Sequence, residues 1–436
     1  MRKLRFISFI LLINLFLQAG KAQSVYMAPE LPLIPNNSFN ITNYGAKSDE
    51  VVDNTKAIQD AIDAAAKTGG GHVIIPAGTY LCGPLKIMSN LNLQLDSGAI
   101  IKFLPFDRYP GGVAEGNDFI AGAKLHDIAI TGKGKIDGQG SPWWPYAKTK
   151  GAKRPRMITF KNCDKVLIDH VQLSNSPMFH IAISSSSNIT VRGVIIRAPA
   201  STDPVNPSHN TDACDVSGKR ILIQDCDISV GDDDFTCGGG TSDVLITNCT
   251  YGNGHGLSIG SPTHGGVSNF TVENCTFTNT ECGIRIKSDR DRGGELKNLT
   301  YRNLKMNNVG IPILIYAAYN AKEREYRNLQ KLTPEIARTY SSEAVTERTP
   351  VYHDITFQNI TATVEKGKRA GLIWGLPEAN AYNIIFQKVN IKADGPMGIF
   401  FAKNVRFENC KIISPEGVNR LSVTNAQVTI DGKEAK

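Results

Sequence analysis

The chain has 436 residues and a formal net charge of +7, from 48 basic and 41 acidic residues. Its 41% hydrophobic residues, 40 glycines and 21 prolines are typical of an ordered, turn-rich protein and exclude a chain that is disordered throughout. The positive charge favours an anionic partner, but no basic run with interleaved aromatic residues predicts a nucleic-acid interface.

The first residues of the chain have the pattern of an export signal. Arg2, Lys3 and Arg5 form a basic segment, residues 6–17 form an apolar run, and residues 20–22 (Gly-Lys-Ala) form a small-x-small cleavage site. The apolar run is short for a membrane span and no second one follows it, so we expect no membrane anchor.

We therefore predict a signal peptide over residues 1–22 and a single mature domain over residues 23–436, which is periplasmic or secreted. For an exported protein with a positive net charge, an acidic polysaccharide is a better-matched anionic partner than nucleic acid. We expect the mature protein to act as a monomer.

A capping unit is predicted at about residues 40–72. Asp53, Asn54 and Thr55 offer side chains for a helix N-cap. The apolar residues that follow fall on one helical face: Ala57, Ile58, Ala61, Ile62 and Ala65. The glycines at 69–71 end this helix, and because they follow a helix they do not predict a phosphate-binding loop. Such a helix would cover the open end of a coil of strands.

From residue 73 onward, short β-branched segments repeat, and each ends in a polar residue followed by a small or apolar one. The repeats lie at residues 158–163, 221–226, 244–249, 270–275, 299–304, 355–360 and 405–410. From the second to the fifth repeat the spacings are 23, 26 and 29 residues, as in solenoids. We predict an all-β fold, a single-stranded right-handed parallel β-helix with an N-terminal capping helix.

Five of the nine cysteines occupy the small position of a repeat: Cys163, Cys226, Cys249, Cys275 and Cys410. Disulfides are permitted in an exported protein. Cysteines at equivalent repeat positions also pack as small buried hydrophobic residues, one above the other. We favour the stacked arrangement and leave disulfide pairing as the alternative.

Asparagines at the repeat corners also create five Asn-x-Thr sequons, at Asn188, Asn248, Asn274, Asn298 and Asn359. At such corners the pattern is better explained by a turn asparagine followed by a strand threonine than by glycosylation. One charged segment, at about residues 321–350, departs from the repeat and is predicted to be a partly helical insertion. It would either line one side of a binding cleft or form a solvent-exposed loop with no role in binding.

Four polar clusters interrupt the apolar pattern between residues 210 and 287. They are Asn210-Thr211-Asp212, Gly231-Asp232-Asp233-Asp234, Gly254-His255-Gly256 and Arg285-Ile286-Lys287. In a parallel coil, equivalent residues on successive turns lie about 4.8 Å apart, so these clusters are predicted to meet. Three close carboxylates cannot all ionise easily, which supplies both a proton donor and a base for cleaving a glycosidic bond.

With these four clusters in this order, the sequence resembles the polygalacturonases of glycoside hydrolase family 28. The resemblance extends to residues 132–140, to Trp143 and Trp144, and to residues 44–46, and so covers most of the mature chain. It implies a β-helix that hydrolyses α-1,4-galacturonosyl linkages in pectin or oligogalacturonides, with inversion and without a cofactor or metal.

The resemblance also implies a role for each residue of the catalytic group. Asp232 would be the general acid that protonates the leaving oxygen. Asp212 and Asp233 would hold and activate the attacking water, and His255 would tune the protonation of the acid through a hydrogen bond. Because Asp234 extends the aspartate pair to three, the catalytic pair could also be Asp233 and Asp234; the position of the preceding glycine favours Asp232 and Asp233.

Substrate binding is assigned through the same resemblance. Asn210 would contact the substrate, and Arg285 and Lys287 would bind a galacturonate carboxylate, with the fork of an arginine and the point charge of a lysine. Tyr319 would be the tyrosine of the substrate site, and Tyr316 is its rival.

Other functions remain alternatives at this point. A hydrolase of a branched pectin, such as rhamnogalacturonan or xylogalacturonan, would share the coil. A pectate lyase would use the aspartates to bind Ca²⁺. A non-catalytic polysaccharide-binding β-helix would explain the charge and the export signal, but not the clustered carboxylates. Exo or endo action does not follow from the sequence.

Overall fold

The structure, a computed structural model, describes residues 26–319, 329 and 332–435. The predicted signal peptide, residues 1–22, lies outside these described residues. Within them, none of the helices combines the length and the apolar character that crossing a membrane requires.

The described chain is built mainly from strands, 32 in all. In chain order, β1 to β16 are Ser38–Asn40, Gly71–Ile75, Gly78–Cys82, Leu85–Lys86, Leu91–Leu95, Ala99–Phe103, Ile120–Ala123, His126–Gly132, Lys135–Asp137, Ile158–Lys161, Asp164–Asp169, Gln172–Ser174, Ile181–Arg192, Ile195–Arg197, Cys214–Gln224 and Asp227–Ser229. Strands β17 to β32 are Phe235–Cys237, Thr241–Thr247, Thr250–Gly252, Leu257–Ile259, Val267–Glu273, Thr276–Thr278, Cys282–Lys287, Glu295–Val309, Ile311–Tyr316, Val351–Val364, Arg369–Trp374, Ala381–Lys392, Gly395–Glu408, Lys411–Ile413, Leu421–Ile430 and Lys433–Glu434.

Helices are few and short in the described residues. The three α-helices are α1 (Thr55–Lys67), α2 (Gly112–Glu115) and α3 (Pro334–Thr339). Three 3₁₀ turns lie at Ile41–Tyr44, Phe106–Arg108 and Trp144–Lys148.

The strands form a right-handed parallel β-helix, which confirms the predicted fold class. Each turn of the coil pairs in parallel with the turns before and after it, for example β15 with β18 and β18 with β21. Among the described strands, the antiparallel pairing is that of the last two, β31 and β32. The backbone groups of the paired strand residues in an inner turn therefore bond to the turns on either side.

Six of the seven repeats identified in the sequence are in register. Residues Ile221, Val244, Phe270, Leu299, Ile355 and Val405 form one column, with Ile384 completing it between the last two. The repeat at residues 158–163 was assigned wrongly, because Ile158 pairs with Ile120 and Ile181 on another face of the coil. The residue of that turn in the column is Val166, which pairs with Ile189.

The corners explain why these two faces look alike in sequence. The polar residue at the end of each repeat has a left-handed backbone with φ between 52° and 57°: Asn162, Asp225, Asn248, Asn274, Asn303, Asn359 and Asn409. All five sequon asparagines have φ in the same range. Asparagine and aspartate tolerate this conformation better than other residues with a side chain, so a turn asparagine recurs at most of these corners.

Inside the coil, equivalent side chains stack on one another. Rings follow each other at centroid distances of 5.3 Å from Tyr301 to Phe357, 4.8 Å from Phe357 to Phe386 and 4.5 Å from Phe386 to Phe407. Each fully buried side chain of this kind contributes about 2 kcal/mol of burial free energy. The interior is thus a continuous apolar column that fixes the register of the turns.

The cysteines follow the stacked arrangement. All nine are free thiols. Cys226, Cys249 and Cys275 lie on successive turns, and the Cys226 N–H donates to Cys249 Sγ at 3.5 Å. Cys163 stands at a different corner, for the reason given for its repeat.

The capping helix α1 closes the N-terminal end, with Ile58, Ala61, Ile62 and Ala65 buried as predicted. Asn54 precedes the helix, but its side chain makes no capping bond and instead joins Lys47 to Leu81. Asp53 accepts the Thr55 N–H at 2.9 Å in its place.

The segment between β25 and β26 leaves the coil, and its described part contains α3. Residues 321–328 and 330–331 of the predicted insertion lie outside the described residues. Arg290 anchors the described part, because its guanidinium bonds to Glu343 and to Ser341 O, each at 2.8 Å. Its Nε also binds Glu378 at 2.7 Å, which ties the segment to the coil.

Asn162 is an exposed corner on which the cost of the left-handed backbone can be measured. We expect Asn162→Ala to destabilise the protein by about 1 kcal/mol, because an alanine Cβ is strained at positive φ. Asn162→Gly should stay within a few tenths of a kcal/mol, since glycine carries no Cβ penalty there. Thermal unfolding followed by calorimetry compares the pair, and equal midpoints would contradict the assignment.

Candidate active site

The four polar clusters stand on successive turns of one face of the coil. Strands β15, β17, β20 and β23 pair in that order, and a column of outward positions runs from Asp215 through Thr236 and Ser258 to Arg285. The first three clusters lie just before β15, β17 and β20, and the fourth lies within β23. The predicted convergence of the clusters is therefore present in the structure.

Asp232 is held at both carboxylate oxygens. Its Oδ1 lies 2.9 Å from His255 Nδ1, and its Oδ2 accepts from Asn210 N at 3.1 Å and Asn210 Nδ2 at 3.3 Å. Burial acts to raise its pKa, but His255, the charge of Lys287 and the Asn210 N–H together lower the pKa of Asp232 to about 2. The free site therefore favours an ionised Asp232.

Asp233 is an almost fully buried carboxylate that two cations hold. Arg285 Nη1 donates to Oδ1 at 2.9 Å and Lys287 Nζ donates to Oδ2 at 2.8 Å. Ser258 Oγ also donates to Oδ1 at 2.7 Å. Because each charge has a partner and further hydrogen bonds, this buried charge triad can form without leaving one charge alone.

Asp212 is the third carboxyl group of the cluster and has a different environment. Its Oδ1 is buried and has no hydrogen-bond partner among the described residues. Burial and the charges of Asp232, Asp233 and Asp215 raise the pKa of Asp212 well above its usual value. The site thus contains one carboxyl group, Asp212, that favours the protonated form, beside Asp232, which favours ionisation, and Asp233, which two cations hold.

His255 lies between two carboxylates. Besides its contact with Asp232, its Nε2 lies 3.1 Å from Glu281 Oε2. Burial acts to lower its pKa, but Asp232 and Glu281 outweigh that effect and raise the pKa of His255 above its usual value. An imidazolium that donates from both nitrogens fits this arrangement.

The two candidate tyrosines lie in different surroundings. The Tyr319 ring centroid lies 5.7 Å from the Arg285 guanidinium carbon and 5.4 Å from Lys287 Nζ, so its ring covers the two cations. Tyr316 is buried in β25 as part of the core. The structure therefore brings the Tyr319 ring to the cation pair, while Tyr316 is the neighbour of Lys287 in the strand register.

Asp234 points into the coil and away from the cluster. It is 0% exposed, and its Oδ2 accepts the Gly256 N–H at 3.0 Å. A Cβ added at Gly254 would lie 2.4 Å from Asp234 Oδ1, and Gly256 has φ 81°. Gly254 thus leaves room for this buried carboxyl group and Gly256 supplies the N–H that binds it, and the structure places Asp232 and Asp233 at the site.

Four residues of the site were missed in the sequence: Asp215, Glu281, Ser258 and Arg154. Burial, followed by the charge of Asp233, raises the pKa of Asp215 to about 6. Asp215 lies three residues after Asp212, an odd separation that strand alternation would place on the opposite face, so alternation from Asp212 did not identify it. The contact of Arg154 with Asn210, at 2.8 Å, crosses 56 residues and left no pattern in the sequence.

Asp232, Asp233 and His255 also place three potential metal-ligand atoms within 4.8 Å of one another. A divalent cation at this point would lie next to Arg285 and Lys287, which already bind Asp233. The donor set is therefore better matched to internal ion pairing than to a calcium site, which collects six to eight oxygen ligands.

Asp234→Asn tests the position of Asp234 in the interior. Burial raises the pKa of Asp234, whereas the unfolded chain ionises near pH 4. The stability due to the neutral carboxyl group is therefore lost as the pH rises from about 4 towards the folded-state pKa. An amide does not titrate, so we expect the variant to unfold at a higher temperature than wild type, by at least about 2 °C at pH 7 and by less at pH 4.

The same variant should keep the activity of wild type. Calorimetry at the two pH values and an activity assay provide the measurement. A folded but inactive variant with an unchanged midpoint would instead place Asp234 in the catalytic pair.

Comparison with known proteins identifies the relatives of this chain. The sequence profile described as Glycosyl hydrolases family 28 matches residues 70–411. A probable polygalacturonase of Arabidopsis thaliana is 33% identical over 66% of this chain, and the match spans 63% of that relative's length. An endo-polygalacturonase of Pectobacterium carotovorum is 31% identical over 71% of this chain and 77% of its own.

Solved structures show the same fold. An exopolygalacturonase of Thermotoga maritima superposes with a TM-score of 0.74, covers 88% of this chain and 94% of its own, and is 24% identical. The resemblance found in the motifs is thus confirmed over most of the chain. The profile match spans well over half of the 436 residues, and the protein belongs to family 28 of the glycosyl hydrolases and is a glycoside hydrolase.

Proposed function

We propose that this protein is a polygalacturonase that hydrolyses α-1,4-galacturonosyl linkages of pectin by inverting acid/base catalysis. The observation that carries the proposal is the contact of a carboxylate cluster with two adjacent cations, Arg285 and Lys287, around Asp233. Such a site combines acid/base groups with a receptor for the carboxylate of a uronic acid. The polygalacturonases among its relatives support the same substrate class.

Asp232 is the general acid in this proposal. Its side chain is 18% exposed, against 5% for Asp233, and it is therefore the carboxyl group that a leaving oxygen can approach. It donates its proton to that oxygen as the bond to the anomeric carbon breaks. Asp212 and Asp233 take a proton from water, whose oxygen forms the new bond from the opposite face.

Asp232 is ionised in the free site because its pKa is low. That pKa has to rise before Asp232 can carry the proton that a general acid donates. The charge of Lys287 is one cause of the lowered pKa. A bound uronate carboxylate would offset that charge and raise the pKa of Asp232. The proton held by Asp212 then moves to Asp232, which leaves Asp212 ionised and able to act as a base.

Export is part of the proposal, since pectin is found outside cells that degrade it. The basic, apolar and small-residue pattern of residues 1–22 supports a signal peptide. Galacturonan is the proposed substrate in preference to branched pectins, because Arg285 and Lys287 lie together at the site. Relatives with exo and with endo in their names share the fold, and the segment around α3 is the part that would determine the mode.

The test is the product formed from polygalacturonate by wild type and by Asp232→Asn. Wild type should release reducing ends without the ultraviolet absorbance of unsaturated uronides, and a chelator should not slow it. Asp232→Asn should lose at least about 10²-fold in kcat, because its amide cannot donate an acidic proton. Asp227→Asn, at an exposed aspartate paired with Arg197, is the matched control and should keep wild-type activity.

Two results would contradict the proposal. Unsaturated products that disappear with a chelator would identify a lyase. Binding of pectin without any release of reducing ends would identify a polysaccharide-binding protein.

A further inference from the structure

Arg154 is a buried arginine with an unusual set of partners. It is 8% exposed, and the acceptors that it contacts among the described residues are neutral oxygens: Pro177 O, His209 O and Asn210 Oδ1. Burying the charge of an arginine costs free energy unless acceptors and nearby opposite charges stabilise it. The acidic groups whose charges act on Arg154 are Asp212 and Asp232, both in the catalytic cluster.

The contact with Asn210 determines which way the asparagine amide faces. Arg154 Nη2 donates to Asn210 Oδ1 at 2.8 Å. A guanidinium has donors and no acceptor, so the amide must turn its oxygen towards Arg154 and its Nδ2 towards Asp232. In that orientation Asn210 Nδ2 lies 3.3 Å from Asp232 Oδ2. The opposite orientation would set two donors against each other and a carbonyl oxygen against a carboxylate.

The same guanidinium also supports the backbone of Asn210. Arg154 Nη1 donates to His209 O at 2.8 Å, one residue before the left-handed backbone of Asn210, where φ is 58°. The Asn210 N–H follows that carbonyl and donates to Asp232 Oδ2 at 3.1 Å. Both donors to Asp232 Oδ2 therefore belong to Asn210. Arg154 holds this residue by bonding to its side-chain oxygen and to the carbonyl of the preceding peptide.

We propose that Arg154 is a positioning residue for Asp232, which acts through the two hydrogen bonds that Asn210 makes to Oδ2. His255 holds Oδ1 from the other side, so the two contacts fix the plane of the carboxyl group. The inference rests on the proposed role of Asp232. It assigns to Asn210 a role in orienting the acid, in addition to the substrate contact that the family resemblance implies.

A double-mutant cycle between Arg154→Lys and Asn210→Ala tests the proposal on the full-length mature protein. A lysine keeps the positive charge but has no planar fork with which to reach three oxygens. We expect Arg154→Lys to lower kcat about 10- to 100-fold, since small errors in placing a reacting group are costly, and to change KM less than about threefold. In the cycle, the double variant should be no slower than Asn210→Ala alone.

The pH profile gives a readout that a structural role would not change. The Asn210 N–H is one cause of the low pKa of Asp232, and a hydrogen bond from Asn210 Nδ2 to the same carboxylate acts in the same direction. Arg154→Lys should displace both donors and Asn210→Ala should remove the second, so the acid limb of kcat/KM should move to higher pH in both single variants. Arg192→Lys, in a partly exposed pair with Asp169, is the control and should leave both limbs in place.

The proposal would be overturned if the two substitutions multiplied their effects, or if Arg154→Lys changed the thermal midpoint but not the pH profile. If Arg154→Lys does not fold, Asn210→Ala alone decides, because an unchanged acid limb in that variant contradicts the link to Asp232. Full activity of Asp232→Asn would instead contradict the proposed function. This result is distinct, because it is measured in a variant that leaves Arg154 unchanged.

Discussion

The hydrogen-bonded register between successive turns of the coil is the constraint on which the rest of the structure depends. Backbone pairing at about 4.8 Å brings together residues that are 20 to 30 positions apart in sequence. Thr236, Ser258 and Arg285 are neighbours for this reason, and the stacked interior prevents the turns from slipping. A shift of one residue would turn the site residues inward and the core residues outward. The same strand register therefore determines both the apolar column and the catalytic cluster.

The strand register brings three carboxyl groups close together, and nearby cations and hydrogen-bond donors offset the repulsion between them. Arg285 and Lys287 neutralise Asp233, and His255 pairs with Asp232. Among the described residues, Asp212 has neither kind of partner within bonding distance, and burial beside its neighbours favours its protonated form. The environments thus separate the three groups chemically although their side chains are identical, which is the condition for acid and base to coexist at one pH.

Much of this could be predicted from the sequence, because repeats and motif order are local patterns. The fold class, the capping helix, the cysteine stack and the convergence of the clusters followed from spacing and alternation. The face to which residues 158–163 belong did not, since corners on different faces end in similar turn asparagines. Arg154 and Glu281 reach the site through side-chain contacts that no period predicts. Which of the three adjacent aspartates faces inward depended on the room that Gly254 leaves for Asp234.

The central claim is that Asp212 and Asp233 activate water on the side of the sugar opposite to Asp232. The configuration of the first product tests it most directly, and proton NMR of early polygalacturonate hydrolysis, before mutarotation, gives the anomeric ratio. The account predicts that the new reducing ends appear first as the β-anomer, since the cleaved linkage is α and the mechanism inverts it. Initial formation of the α-anomer would show retention and contradict the assignment of these carboxyl groups.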